Sequence, residues 1–472
     1  MMWKFKQYTD NIAVISDQGE CLTYQQLDIS TERLIENINE RCLVFSLCTN
    51  SIGSVVGYTG FVNHNIVPLL LDSHLDFELL QYLINTYKPS YLWMPESMTE
   101  RFSGFDPIYN DFNYTLMKTN FDYKYPLFDE LALLLTTSGS TGSSKLVRQS
   151  YKNIEANTKS IVEYLELDQT ERPIMTLPMS YTYGLSIVNS HLYVGATLLM
   201  TDKTLIERGF WSFFKEREAT SFGGVPYTYE MLDKLRFFRM GLVSLRTMTQ
   251  AGGKLSPELH NKFAEYAKET GKHFIVMYGQ TEATARMSYL PHEKSLEKCG
   301  SMGIAIPGGK FTLIDVVGNV ITEPEVSGEL VYEGSNVTLG YAECGDDLFK
   351  GDERFGKLIT GDMAEIDKEG YFYIVGRKKR FLKIFGSRVN LDEIERMVKA
   401  QFNNLDCAST GMDDKMYIFI SCVDKFLETQ VKKFLSDKTG LNPVAFIVKQ
   451  IEKIPKNESG KTLYVKLERY YE

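Results

Sequence analysis

The chain has 472 residues, of which 43% are hydrophobic and 24% charged, a composition typical of a globular protein with ample material for a core. A net charge of −9 argues against a nucleic-acid-binding protein. The sequence contains no run of about 18 apolar residues, so we expect no membrane span. The seven scattered cysteines form no CxxC pair and the six histidines no HExxH or HxH pattern, which disfavours disulfides, zinc and metal chemistry through histidine. Since the N-terminus lacks a signal-peptide core, we expect reduced thiols and a cytoplasmic location.

The first element that bears on function is a short apolar run, LALLL at 131–135, which is typical of a buried strand. Ten residues rich in Ser, Thr and Gly follow, from Thr136 to Lys145, and apolar residues then return at helical spacing between Ile154 and Leu165. Glycines, successive backbone N–H groups, hydroxyls and one lysine together form a cradle for anions. The segment lacks the spacing of a Walker A loop, so from its residues alone a phosphate loop and an ordinary Ser-rich turn are equal alternatives.

Later elements alternate between strand-like apolar runs and helical patterns, which is typical of an α/β fold. Ser256 followed by Pro257 predicts a capped helix start. MYIFISCV at 416–423, with a polar amphipathic segment after it, predicts a strand followed by a helix.

The charge changes sign along the chain. From Arg377 to Glu472 there are 19 Lys and Arg against 13 Asp and Glu, a net of +6, which leaves 33 against 48, or −15, for residues 1–376. Such a change predicts two domains that meet near residue 377. A basic small domain could close over an anionic ligand; the alternative is that the asymmetry only aids solubility and docking.

Four further segments carry recognisable patterns. They are YGQTEATARMSYLP at 278–291, GELVYEGSNVTLGY at 328–341, the long segment 359–395 that begins ITGDMAEID, and PKNESGKTLYVKL at 455–467. Together with the Ser/Thr/Gly loop, they resemble in order and spacing the adenylate-forming (AMP-binding) enzyme superfamily, which includes acyl-CoA synthetases, firefly-type luciferases and the adenylation domains of peptide synthetases. The resemblance covers nearly the whole chain, from LTYQQL at 22–27 to the last lysine motif.

This resemblance implies a two-step reaction. A small-molecule carboxylic acid attacks the α-phosphate of ATP, with Mg²⁺, to give an acyl-adenylate, and a phosphopantetheine thiol of coenzyme A or of an acyl or peptidyl carrier protein then takes the acyl group. It also implies a large α/β N-terminal domain of several subdomains, residues 1–376, and a small mobile α+β lid, residues 377–472, with a hinge near Lys379. The charge change near residue 377 agrees with that boundary.

Residue roles follow by resemblance. The phosphate loop would grip the β- and γ-phosphates through Thr137, Ser138, Gly139, Ser140, Thr141, Gly142 and Lys145. Ser144 stands where proline is commoner in the family. Tyr278 would stack on adenine, although a core aromatic would look the same; Thr281 would lie at the α-phosphate and Glu282 would be a catalytic ligand of Mg²⁺. Gly252 and Gly253 would border adenine.

The C-terminal part supplies four further groups by the same resemblance. Asp362 would accept the two ribose hydroxyls, although a turn-forming Asp after Gly has the same pattern. Arg377 would lie at the ribose or a phosphate. Lys461 would be the catalytic lysine of adenylation, which stabilises charge as it develops between the carboxylate and the α-phosphate, whereas a lone lysine is ordinarily solvent-exposed. Gly386 would line the pantetheine channel.

The nature of the acid rests on one aligned position. Amino-acid-activating relatives place an Asp there to pair the substrate ammonium, whereas this chain has Thr182 and no Asp or Glu from Pro178 to Gly195. An unpaired ammonium in a dry pocket is costly, which favours a substrate without an α-amino group. A wall of aromatic hydroxyls, suited to a small polar or aryl acid, would be built by Tyr181, Tyr183, Tyr227 and Tyr229. A D-alanine-ligase-like carrier-loading enzyme and a non-catalytic nucleotide-binding relative remain as alternatives.

Overall fold

A computed structural model describes residues 2–122, 124–136, 145–384, 387–402, 405–412, 414–422, 425–456 and 462–471. The chain divides into two compact units. The first comprises Met1–Phe311 and Tyr332–Leu358, and the second comprises Thr312–Val331 and Ile359–Glu472. The predicted domain boundary at residue 376 stays a prediction. In the described ranges no helix is both long enough and apolar enough to cross a membrane, and the seven cysteines carry free thiols.

The helices mostly begin where the sequence supplies a side-chain cap. In the described ranges they are α1 Tyr24–Ile35, α2 Ile52–Asn63, α3 Phe77–Tyr87, α4 Tyr151–Leu165, α5 Thr182–Tyr193, α6 Arg208–Glu216, α7 Pro226–Lys234, α8 Pro257–Thr270, α9 Leu391–Gln401 and α10 Lys425–Thr439. The predicted helix between Ile154 and Leu165 is confirmed as α4, which Ser150 caps by accepting the N–H of Asn153. The predicted start at Ser256 and Pro257 is confirmed at α8.

The strands are short and numerous. In chain order they are β1 Ile12–Ser16, β2 Cys21–Thr23, β3 Leu43–Cys48, β4 Val67–Asp72, β5 Tyr91–Pro95, β6 Asp106–Asp111, β7 Tyr114–Lys118, β8 Leu131–Thr136, β9 Leu146–Ser150, β10 Pro173–Ile174, β11 Leu198–Met200, β12 Ser221–Gly224, β13 Thr247–Gln250, β14 His273–Tyr278, β15 Ser288–Tyr289, β16 Ile304–Ala305, β17 Gly309–Ile314, β18 Val320–Ile321, β19 Gly328–Gly334, β20 Gly340–Ala342, β21 Lys357–Ile366, β22 Phe372–Arg377, β23 Phe381–Ile384, β24 Ser387–Asn390, β25 Cys407–Met412, β26 Lys415–Ile420 and β27 Phe446–Gln450.

The first unit holds two large mixed sheets. One has the order β16-β15-β14-β13-β12-β10-β11-β1-β2 and the other the order β20-β9-β8-β4-β3-β5-β7-β6. The predicted strand LALLL is confirmed as the buried β8. A single core cluster takes residues from both sheets, such as Leu133 and Ile275, and from α2, where every residue is buried. Such a helix, apolar on all sides, is stable only within a core.

One edge of the first sheet positions the site. Strands β12, β13 and β14 run parallel in register, so that Gly224 lies opposite Gln250 and Gln250 lies opposite Val276. Their carboxyl ends therefore meet at the same edge, where ligands bind in open α/β sheets.

The second unit contains most of a five-stranded sheet, in the order β18-β17-β19-β21-β22, and a three-stranded sheet in the order β25-β26-β27. Helices α9 and α10 pack on the three-stranded sheet around a core that includes Ile394, Ile418 and Leu435. The strand and helix predicted from residue 416 onward are confirmed as β26 and α10. The α/β fold class predicted from the sequence is confirmed.

Candidate active site

The Ser/Thr/Gly loop connects two paired strands. β8 ends at Thr136 and β9 begins at Leu146, and these two residues are partners in an antiparallel ladder. Residues 137–144 lie outside the described residues, so the predicted roles of the following residues stay predictions: Thr137, Ser138, Gly139, Ser140, Thr141 and Gly142. Lys145, the last residue of the predicted loop, directly precedes β9.

Lys145 lies against the ring of Tyr341. Its Nζ is 4.0 Å from the ring centroid and 3.4 Å from a carboxylate oxygen of Glu343. The contact follows from strand pairing, because β20 runs antiparallel to β9 with Tyr341 opposite Val147. Lys145 is half-buried, and the aromatic face of Tyr341 attracts its ammonium and helps to hold it in place.

The side chain of Glu282 is hydrogen-bonded to the same tyrosine. Glu282 lies on a single 3₁₀ turn, Thr281–Ala283, and its Oε1 accepts a hydrogen bond of 2.7 Å from the Tyr341 hydroxyl. Burial, and next the negative charge of Glu282, raise the pKa of Tyr341 to about 12, so the phenol stays protonated and donating at neutral pH. Tyr341 therefore fixes the Glu282 carboxylate and places it near Lys145.

The backbone of Glu282 is held as firmly as its side chain. The Glu282 carbonyl accepts hydrogen bonds from the N–H and hydroxyl of Thr338, at 3.0 and 2.9 Å, and from Arg354 Nη1 at 3.0 Å. The Arg354 guanidinium also lies 4.6 Å from the Tyr341 ring centroid. Tyr341 is the last residue of the segment 328–341, but the motif indicates no role for it. Arg354 lies outside all the segments that carry a recognisable pattern.

The chain turns sharply after Tyr278. Gly279 packs so closely that a Cβ there would lie 1.8 Å from the carbonyl oxygen of Ala285. Thr284 adopts φ +66°, a conformation that costs free energy in a residue with a side chain and is typical of functional turns. Tyr278 itself is half-buried at the end of β14, and its hydroxyl accepts a hydrogen bond of 3.0 Å from Gln280.

Gly252 and Gly253 follow β13 at the neighbouring strand end. Gly252 has φ +82°, and a Cβ there would lie 2.8 Å from the Tyr181 hydroxyl oxygen. The buried Gln250 fixes the turn, since its Nε2 donates to the carbonyl of Gly253 at 2.9 Å. The structure thus brings the 250–253 and 278–282 segments to adjacent ends of parallel strands.

Asp362 and Arg377 form a pair within the second unit. They lie directly opposite each other on β21 and β22, with Arg377 Nε 3.5 Å from Asp362 Oδ1. Asp362 is 5% exposed, whereas the arginine side chain is 67% exposed. The next residue, Lys378, makes an ion pair of 2.7 Å with Glu329. The pair thus combines a buried carboxylate with an exposed cation on neighbouring strands.

Two predicted groups lie outside the described residues. Lys461 falls in the segment 457–461, whose described neighbours Lys456 and Thr462 pair in an isolated antiparallel bridge. Gly386 falls between β23 and β24. The roles of both residues stay predictions, as does the hinge near Lys379, whose side chain is also not described.

The predicted acid pocket is only partly as expected. Thr182 is buried at the start of α5 and donates its hydroxyl to the Thr284 carbonyl. The prediction of a tyrosine wall is wrong for Tyr229, which is a core residue packed on Phe263 and Phe274.

The other three tyrosines differ in exposure. Tyr183 is buried and donates to Thr249 Oγ1 at 2.7 Å, and the Tyr229 hydroxyl donates to the carbonyl of the same threonine at 2.8 Å. Tyr227 is 53% exposed, and Tyr181 is half-buried beside Gly252. Hydroxyls that are already bound to the protein are not available to a ligand, which the residue spacing alone does not reveal.

The donor set suits Mg²⁺ carried by a nucleotide. Within the described ranges no group of three His, Cys, Asp or Glu side chains could enclose a metal ion. Glu282 offers one carboxylate, with only Oε1 engaged by a described donor. Mg²⁺ is commonly held by one or two carboxylates together with phosphate oxygens and water, so Glu282 fits such an ion.

The model of the AMP-binding enzyme family matches residues 2–342, and the chain belongs to that family. Its curated relatives include peroxisomal OPC-8:0-CoA ligase 1 of Arabidopsis thaliana, 28% identical over 352 residues, covering 71% of this chain and 63% of the relative. They also include 2-succinylbenzoate–CoA ligase of Bacillus pumilus, 26% identical, covering 70% of this chain and 61% of the relative. The matches thus span less than two thirds of these relatives' lengths.

Solved structures share the fold over almost the whole chain. ATP-bound MatB from Rhodopseudomonas palustris gives a TM-score of 0.76 at 22% identity and covers 99% of this chain and 97% of its own. The anthranilate CoA ligase AuaEII, in complex with anthranoyl-AMP, gives 0.78 at 19% identity and covers 100% and 98%. The resemblance to the adenylate-forming enzymes, predicted from the motifs, is therefore confirmed. In this fold a large N-terminal part precedes a small C-terminal part.

Proposed function

We propose that this protein is an acid–thiol ligase. It uses ATP to convert a carboxylic acid into an acyl-adenylate and pyrophosphate, and then transfers the acyl group to the phosphopantetheine thiol of coenzyme A or of a carrier protein. The observation that carries the proposal is the arrangement of Glu282 and Lys145 around Tyr341, at the start of β9 and beside the Ser/Thr/Gly loop. A carboxylate can hold the metal ion of a metal–triphosphate, and an ammonium can neutralise charge on its phosphates.

In this reaction the protein mainly positions the reacting groups and neutralises charge. Lys145 and the loop residues 137–142 bind the β- and γ-phosphates, and Thr281 lies at the α-phosphate. Glu282 would hold Mg²⁺, which supplies charge neutralisation on the phosphates when bound. Tyr278 stacks on adenine, and the Gly252–Gly253 turn lets the backbone border the base closely, because no side chain intervenes.

The remaining groups belong to the C-terminal part. Asp362 accepts the ribose hydroxyls, and Arg377 binds the ribose or a phosphate beside it. Lys461 stabilises charge between the acid and the α-phosphate during adenylation. We propose that residues 377–472 act as a lid about a hinge near Lys379, and that Gly386 then lines the channel for the pantetheine arm. The net charge of +6 on this lid suits either acceptor, since coenzyme A and carrier proteins are both anionic.

The pocket favours an acid without an α-amino group. Thr182 replaces the expected acidic partner of an ammonium, and its hydroxyl is committed to the Thr284 carbonyl. The two curated relatives named above are ligases of OPC-8:0 and 2-succinylbenzoate, neither of which is an amino acid. An amino-acid-loading enzyme of the D-alanine ligase kind is the alternative, and it would need another carboxylate near Thr182.

The test is ATP–pyrophosphate exchange with Mg²⁺ over a panel of fatty, aryl, hydroxy and amino acids. We expect exchange that depends on a non-amino acid, and a loss on the order of 10²-fold in Glu282→Gln, because one charged group aligned with the triphosphate is removed. Glu155→Gln, which alters an exposed carboxylate on α4, is the matched control and retains full exchange. Exchange with amino acids alone would contradict the proposed class of substrate. Exchange at the wild-type rate in Glu282→Gln would contradict the proposed role of Glu282.

A further inference from the structure

Arg286 is a buried cation four residues beyond Glu282 in the same turn region. It is 3% exposed. Its Nε donates to Ser186 Oγ at 3.1 Å, its Nη1 donates to the Tyr164 hydroxyl at 3.0 Å, and its guanidinium carbon lies 5.2 Å from the Tyr183 ring centroid. These partners are all uncharged, and Nη2 makes no hydrogen bond to a described residue.

The other buried arginines of the described chain are neutralised. Arg148 is paired with Glu353 at 2.5 Å, and Arg380 is paired with Asp392 at 2.8 Å and with Glu395 at 2.5 Å. Arg286 alone among these three buried guanidinium groups has no carboxylate within ion-pair distance in the described ranges. Because guanidinium remains protonated in proteins, the charge of Arg286 persists.

The titratable groups around Arg286 do not supply an anion. Burial raises the pKa values of both Tyr164 and Tyr183, so these phenols stay neutral. Burial, and to a lesser extent Arg286 itself, lower the pKa of His191 to about 4, so this imidazole is also neutral at physiological pH. A buried charge without a partner is costly, and the cost is recovered when an anion binds.

The position of Arg286 favours a ligand within the acid pocket. Asn157 holds its backbone, donating to the Arg286 carbonyl at 2.8 Å. Asn157 and Ser186 also line a small pocket together with Thr182, Thr284 and Ala285, and Thr182 is the position that the alignment assigns to substrate recognition. The guanidinium is therefore anchored by residues that face this pocket, on the same turn as Glu282.

We propose that Arg286 binds a second carboxylate of the acid substrate, so that the enzyme prefers dicarboxylic over monocarboxylic acids. The proposal rests on the proposed adenylation of a carboxylic acid at this site. One carboxylate is activated by ATP, while the other stays ionised and forms charge-assisted hydrogen bonds with Arg286. The same cation repels an ammonium, which agrees with the absence of an acidic residue at position 182.

The experiment compares matched acids in pyrophosphate exchange: succinate with butyrate, glutarate with pentanoate, and phthalate with benzoate. For at least one pair we expect wild-type kcat/KM to favour the diacid more than tenfold. In Arg286→Met that ratio falls by about 10- to 100-fold, because a hydrogen-bonded charge pair is lost. Arg246→Met removes an exposed cation paired with Glu171 and serves as the control with an unchanged ratio.

Thermal unfolding separates this role from a structural one. Without ligand, Arg286→Met should melt at the wild-type temperature or above it, since an uncompensated buried charge is removed. With a non-hydrolysable ATP analogue, the diacid should raise the melting temperature of the wild type but not of Arg286→Met. Equal use of mono- and diacids, or a variant that melts lower and loses all acids equally, would overturn the proposal. A diacid shift without any exchange would instead contradict adenylation and leave the Arg286 assignment standing.

Discussion

Tyr341 is the residue on which the geometry of the site depends most. It donates to the Glu282 carboxylate and carries Lys145 and Arg354 on its ring, at 4.0 and 4.6 Å from the ring centroid. One aromatic side chain thereby organises a carboxylate and two cations that come from distant parts of the sequence.

Replacement of this tyrosine tests that role. In Tyr341→Phe the rings and cations retain their contacts, but the hydrogen bond to Glu282 is lost. We expect pyrophosphate exchange to fall roughly tenfold, in line with a hydrogen bond to a charged group. Because the pKa of Tyr341 is about 12, the ratio of wild-type to variant rate should be constant between pH 6.5 and 9. Tyr82→Phe, at an exposed ring on α3, should leave the rate unchanged; an unaffected Tyr341→Phe would show that Glu282 is positioned by its backbone alone.

At the scale of elements, the site depends on where parallel strands end. The register of β12, β13 and β14 brings the turns after Gln250 and Tyr278 to one edge. The second turn is tight because Gly279 passes close to the Ala285 carbonyl and Thr284 takes a left-handed φ. The turn therefore fixes the direction in which Glu282 points.

A methyl group at Gly279 should disrupt this turn. A Cβ would lie 1.8 Å from the Ala285 oxygen, which is backbone and cannot move aside without opening the turn. We expect Gly279→Ala to lower the free energy of unfolding by about 1–3 kcal/mol and to reduce exchange more than tenfold. Gly104→Ala, where a Cβ would meet nothing within 4 Å, is the control. Chemical denaturation and exchange, measured on both variants, check the prediction; a stable and active Gly279→Ala would contradict the tight turn.

The sequence predicted helices and strands better than it predicted contacts between residues that are distant along the chain. β8 follows from an apolar run, α4 follows from helical spacing of apolar residues, and the start of α8 follows from Ser256 and Pro257. Tyr341 and Arg354 reach Glu282 from 59 and 72 residues away, and such pairs are set by sheet order rather than by local pattern. The burial of Tyr229 and the unpaired charge of Arg286 likewise emerge only from packing, because alternating tyrosines and an arginine in a polar segment look solvent-facing in sequence.

At the scale of the whole molecule, the groups assigned to one reaction belong to two compact units. Lys145, Tyr278 and Glu282 lie in the first unit, whereas Asp362 and Arg377 lie in the second. The second unit also contains the segment 462–471. The guanidinium carbon of Arg380 lies 3.8 Å from the ring centroid of Tyr464 in this segment, and Arg380 also pairs with Glu395 on α9. Arg380 therefore links the C-terminal residues to α9. A two-step reaction in which Lys461 serves only adenylation predicts that the two steps respond differently to its removal.

The most direct measurement is the yield of each step in wild type and Lys461→Ala, with products identified by mass spectrometry. Protein, MgATP and the acid that gives the highest exchange are mixed to follow acyl-adenylate, and synthetic acyl-adenylate is mixed with coenzyme A to follow thioester. We predict that Lys461→Ala loses adenylate formation by about 10²–10³-fold and retains thioester formation, because one aligned charge is removed from the first step alone. Adenylate formation at the wild-type rate in Lys461→Ala, or no adenylate from the wild type with any acid, would contradict the account.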